Sequence, residues 1–165
     1  MSQAHATTRT INLKVGDKAP EINLSFSEKD DAQVAKRAGK TLVLYFYPKD
    51  DTPGCTIEAK DFRDHIKEFE KAGAVIIGVS KDPLKSHGKF QEKYCLPFPL
   101  GSDDGQNTCE NYGVWVEKSM YGKTYMGIER ATFVIDSSGI IRNIWRKVSV
   151  DGHVKEVLQA VQNVA

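Results

Sequence analysis

Apolar positions in this chain follow two rhythms. Continuous runs rich in β-formers, bounded by Gly, Pro or charged residues, occur at 41–47 and 74–79 and predict buried strands. Between them Phe62, Ile66 and Phe69 fall at i, i+4 and i+7 among charged residues, predicting a helix over about 55–72 that Gly73 stops. A second helix is expected over 86–94, with Phe90 and Tyr94 on one face, and a short one ending at Tyr112. Segments 131–136 and 140–145 flank Ser137, Ser138 and Gly139, a hairpin signal. Val154, Val157, Leu158 and Val161 give a terminal helix a narrow apolar stripe. Upstream, 22–26 is a candidate short strand, 28–31 a charged turn and 36–40 a basic turn; 96–100 leads into a loop carrying Ser102, Asp103 and Asp104. The order describes a single α/β unit of about 13–165 behind a polar tail, 1–12.

Composition narrows the functional classes. Twenty-three Lys and Arg balance 22 Asp and Glu, leaving no basic excess for a phosphate backbone, so nucleic acid is not an expected partner. No apolar stretch approaches the roughly 20 residues that span a bilayer, and the first ten residues lack the hydrophobic segment of a secretory signal. Three cysteines without regular spacing do not form a disulfide framework, which favours a reducing, cytoplasmic setting. With no Cys-x-x-Cys and with His5, His65, His87 and His153 scattered, neither metal nor cofactor is expected. Gly39, Lys40 and Thr41 imitate the end of a phosphate-binding loop, but position 34 is Val and a strand follows.

The chemistry concentrates at Thr52, Pro53, Gly54 and Cys55. Pro48 and Pro53 end the strand at 47, and the helical pattern begins at Cys55. A thiol in a first helical turn meets unpaired N–H groups and the positive end of the helix dipole, which favour a thiolate. A free cysteine is more often a small buried hydrophobe; the exposing turn and the hydroxyl three residues earlier point here to a nucleophile.

The segment from Tyr45 to Phe62 resembles the active-site segment of peroxiredoxins, specifically the bacterioferritin comigratory protein or PrxQ branch. Gly16–Pro20, Ser102–Asp103 with Tyr112–Trp115, and Tyr121–Asp136 agree in order and spacing. The resemblance implies a thioredoxin-like fold, an α/β protein with a central mixed β-sheet flanked by helices on both faces. It implies a peroxidase acting on hydrogen peroxide and organic hydroperoxides, with thioredoxin or a similar thiol as reductant. On this reading Cys55 attacks the peroxide, Thr52 accepts from it and donates toward the sulfur, and Pro53 packs over the sulfur. Arg130, just before the strand at 131, is the fixed cation. Glu58 either anchors Arg130, caps the helix or is an ordinary surface carboxylate. Arg63, Arg142 and Arg146 are expected to be solvated surface charges. A monomer is the expected state for this branch.

The chain departs from a common pattern of the family at Lys60, where many relatives place a second cysteine. The sulfenic acid formed at Cys55 then has three routes: Cys95, just past the helix at 86–94; Cys109, more consistent with a buried structural thiol; or an external thiol in a one-cysteine cycle. A rival to turnover is a redox-sensing adaptor or holdase that uses a single oxidation of Cys55.

Overall fold

The computed structural model describes residues 12–164. Helix α1 spans Glu28–Val34 and passes into a 3-10 turn, Ala35–Arg37; strand β1 is Thr41–Phe46. Helices α2, Pro53–Asp64, and α3, Ile66–Lys71, precede β2, Ala74–Ser80, and α4, Leu84–Tyr94. Then come β3, Leu100–Ser102; α5, Thr108–Asn111; β4, Trp115–Met120; β5, Lys123–Ile128; β6, Ala131–Ile135; β7, Ile141–Trp145; and α6, His153–Gln162. Five strands form one sheet in the order β3-β2-β1-β6-β7, while β4 and β5 pair as a separate ribbon.

Strand β1 lies at the centre because both its faces are apolar. Val43, Tyr45 and Tyr47 face α2, α3, α4 and α6, packing with Ala59, Phe62, Phe69, Phe90 and Val157. Leu42, Leu44 and Phe46 face the other way, against Cys109, Tyr112, Phe133 and Ile141. A strand covered on both sides reads as an unbroken apolar run instead of an alternation, as the sequence at 41–47 does. Strand β1 pairs parallel with β2 and antiparallel with β6, Phe46 opposite Ala131. That pairing brings the end of β1 and the start of β6 to one edge of the sheet.

Several boundaries differ from those expected. The segment 22–26 makes only a single bridge, Ser25 to Ser102, because Leu24 and Phe26 pack over Gly101 instead of laddering. The charged stretch at 28–31 opens α1, where Ser27 Oγ accepts from the Asp30 N–H at 3.1 Å as an N-cap. The helix expected over about 55–72 starts two residues before Cys55, with Pro53 at N1, and breaks at His65, whose ring contacts Asp61 O at 2.8 Å. The loop expected after Leu100 begins as β3, and α4 begins at Leu84, after Pro83. The ribbon β4–β5 was not expected. Its turn residues Tyr121 and Gly122 have φ of 52° and 78°, suiting a tight hairpin, but its strands are largely exposed and carry no apolar run. The hairpin β6–β7 and the terminal helix form as read. Residues 1–11, most of the proposed tail, lie outside the described residues.

Candidate active site

Cys55 is the third residue of α2, and its side chain is buried. Thr52 is the N-cap; its hydroxyl donates to Lys49 O at 2.8 Å. The donation toward sulfur expected from sequence is therefore not made here, and the hydroxyl accepts no hydrogen bond among the described residues. Pro53 is exposed. Gly54 has a steric role: a Cβ built there would stand 3.1 Å from Arg130 Nη2, so the absence of a side chain admits the guanidinium.

Arg130 ends the loop before β6 and reaches the sheet edge beside α2. Its Nη1 donates to Glu58 Oε1 at 2.7 Å and its Nη2 to Cys55 Sγ at 3.5 Å. Of the three readings open for Glu58, the structure selects the anchor: the carboxyl is fully buried and paired with Arg130. Arg130 thus contacts both the Cys55 thiol and the Glu58 carboxyl, the former across 75 residues of sequence.

Burial dominates the carboxyl, lifting Glu58 from 4.5 to about 7 despite the opposing pull of Arg130. At Arg130, which keeps some solvent contact, Glu58 and Cys55 together outweigh the burial that opposes its charge, so it stays protonated. The second oxygen, Glu58 Oε2, has no hydrogen-bond partner among the described residues and lies 4.0 Å from His153 Nε2. His153 shares a 2.8 Å hydrogen bond with Thr132 Oγ1, and burial lowers it to about 4. Sequence gave no sign of His153 at this site, since it arrives from α6, 95 positions after Glu58 along the chain.

The other cysteines separate clearly. Cys109 is fully buried, its N–H donating to Asp103 Oδ2 at 2.8 Å, and burial pushes its thiol far up. Cys95 is exposed, in a left-handed conformation at the end of α4 with φ 54°. Arg63 Nη1, from α2, donates to Tyr94 O at 2.8 Å beside it, so Arg63 is half-buried and not the free surface charge expected. Arg142 is exposed as expected; Arg146, also exposed, binds Glu129 and Gly113 O. His87 and its partners form a separate network behind the loop.

A mixed sheet whose central strand leads through a Pro-containing loop to a thiol at a helix start defines a thioredoxin-like α/β protein of the peroxiredoxin type. The chain belongs to the AhpC/TSA family, whose model matches residues 15–144. It is 48% identical over 155 residues to peroxiredoxin Bcp of Bacillus subtilis, covering 94% of this chain and 99% of that one. The structure of a Xylella fastidiosa PrxQ mutant superposes with a TM-score of 0.82 at 36% identity, covering 93% and 98% of the two chains. A structure of Xanthomonas campestris bacterioferritin comigratory protein, from work on its alkyl peroxide reduction activity, matches with TM-score 0.74 and 48% identity over 79% of this chain and 83% of that one. No helix among the described residues is long and apolar enough to cross a membrane.

Proposed function

We propose that the protein is a thiol peroxidase that reduces hydrogen peroxide and organic hydroperoxides at Cys55. The observation that carries this reading is the guanidinium of Arg130 bridging Glu58 and the Cys55 sulfur, at 2.7 and 3.5 Å. The Cys55 thiolate attacks one peroxide oxygen; the S–O bond forms, the O–O bond breaks, and the departing alkoxide or hydroxide takes a proton. Arg130 stabilises the negative charge developing on the departing oxygen, and Thr52, its proton committed to Lys49 O, accepts from the peroxide hydroxyl. The sulfenic acid left on Cys55 condenses with a thiol to a disulfide and releases water; a second thiol then frees Cys55. The family resemblance supports thioredoxin or a similar thiol as the donor, and the alkyl peroxide reduction activity described for the Xanthomonas relative supports organic substrates. The burial of Cys109 and the exposure of Cys95 support Cys95 or an external thiol over Cys109 as the resolving group.

The test is intact mass and peptide mapping after one equivalent of hydrogen peroxide with a sulfenate trap, on wild type and Cys55→Ser. A trapped sulfenate at Cys55, with turnover lost in the variant, is expected. Full activity in Cys55→Ser would overturn the assignment. Consumption of a single equivalent with no turnover by any thiol donor would favour a sensor over an enzyme.

A further inference from the structure

Behind the Cys55 loop lies a polar cluster that the reaction itself does not use. Asp50 and His87 are 8% and 2% exposed. Asp50 Oδ1 accepts from the Tyr47 hydroxyl at 2.5 Å; its Oδ2 accepts from Ser86 Oγ at 2.7 Å and faces His87 Nδ1 at 2.7 Å. His87 Nε2 lies 3.0 Å from Gly101 O, and since a carbonyl only accepts, Nε2 carries a hydrogen. Nδ1 and Oδ2 share another. The Asp50 N–H donates to Asp82 Oδ2 at 2.7 Å, which also accepts from Ser80 Oγ. Asp50, Asp82 and His87 bring ligand-type atoms within 4.8 Å of one another, but these hydrogen bonds already engage them, and the cluster is a brace.

The braced element is the loop from Pro48 to Thr52. Helix α4 grips it at two successive residues: Asp50 from within, through Ser86 and His87, and Asp51 from outside. Asp51 has φ 56°, a conformation unfavourable for most side chains, and is held by Lys93 Nζ at 2.8 Å and the Tyr94 hydroxyl at 2.7 Å. Next to Asp50 is Lys49, whose carbonyl takes the Thr52 hydroxyl proton. The direction of the Thr52 lone pairs therefore depends on where α4 holds the backbone of Lys49 and Asp50.

We propose that Asp50 and His87 are positioning residues for the oxidation of Cys55, acting through the Lys49 carbonyl on the Thr52 hydroxyl. The proposal rests on the peroxidase reading of Cys55. Neither residue is assigned contact with the peroxide or the sulfur; a buried, fully hydrogen-bonded pair fixes geometry more than it adds stability.

The experiment compares two reactions of Cys55 in the intact protein: oxidation by hydrogen peroxide, which uses the Thr52 acceptor, and alkylation by iodoacetamide, which does not. His87→Phe and Ser86→Ala are made alone and in a Thr52→Val background. His87→Phe should slow oxidation about 10- to 100-fold, the cost of a small misplacement at a reacting centre, and leave alkylation within about twofold. In the Thr52→Val background it should add nothing further, the signature of residues acting as one unit. Oxidation at the wild-type rate, an undiminished effect in Thr52→Val, or oxidation and alkylation falling together would each overturn the proposal. If His87→Phe does not fold, Ser86→Ala removes one donor to Asp50 and leaves the ring, and the same comparison decides. Wild-type Cys55 that peroxide does not oxidise would overturn the peroxidase reading and this proposal with it, whereas rapid wild-type oxidation with unaffected variants overturns this proposal alone.

Discussion

Replacing Glu58 by Gln should give the protein a dependence of stability on pH that the Glu58–His153 pair now conceals. In the unfolded chain a glutamate titrating at 4.5 and a histidine at 6.5 hold one proton between them across that interval, on the histidine. In the folded protein burial raises Glu58 to about 7 and lowers His153 to about 4, so the pair again holds one proton, on the carboxyl. Equal proton counts mean zero slope, wherever the folded site keeps the proton. In Glu58→Gln only His153 remains: it is protonated when unfolded and neutral when folded. Its folded pKa is depressed, so its contribution is full above 6.5 and is lost as pH falls toward 4. The slope is about 1.4 kcal/mol per pH unit, or about 3 kcal/mol between pH 4.5 and 6.5. His153→Gln should show the reverse, since the raised pKa of Glu58 favours the folded state below 4.5 and loses that advantage as pH rises to about 7. Urea unfolding of wild type and both variants at intervals across this range measures the differences directly. A constant difference between wild type and Glu58→Gln at every pH would refute the reasoning.

Arg130→Ala should slow the first oxidation of Cys55 by about 100- to 1000-fold, measured by rapid mixing with peroxide, and an unchanged rate would remove Arg130 from the mechanism. Gly78→Ala should destabilise the fold by about 1–3 kcal/mol in urea, because its Cβ would stand 2.8 Å from Leu100 Cδ2 and 2.9 Å from Tyr45 Cζ; an unchanged midpoint would show that these side chains yield freely. In the native protein a thiol reagent should label Cys95 promptly and Cys109 only after denaturation, since Cys109 is fully buried. Comparable native rates at the two residues would contradict that placement.

What was legible in the chain was whatever one segment could encode alone. The run at 41–47 announced a strand buried on both faces, and the break at Pro48 and Pro53 announced the turn before Cys55, though not that the sulfur would lie buried behind it. The β4–β5 ribbon was invisible because most of its positions face solvent and only its base, Trp115 and Ile128, reaches the core: Glu117, Lys118 and Ser119 in between show no alternation of apolar and polar residues. Helix α1 was missed for a similar reason, its charged residues masking a capped helix that buries little beyond Asp30. At the site, Arg130 was found only through the context that the family resemblance supplied. His153 was missed because a lone buried histidine leaves no local trace of the carboxyl it will face. Glu58 kept three readings open because nothing nearby in sequence shows that an arginine 72 positions later will meet it.

The antiparallel pairing of β1 with β6 also orders events in time. Ribosomal synthesis delivers Cys55 when about a third of the 165 residues exist, but Arg130 and the strand that carries it come much later. Until then the nascent chain carries Cys55 without its cation, alongside a carboxylate that lacks its counter-charge. On the proposed reading of Cys55, peroxide sensitivity is therefore a property that the polypeptide acquires late in its own manufacture, and an emerging, half-made chain carries the thiol before the site around it exists.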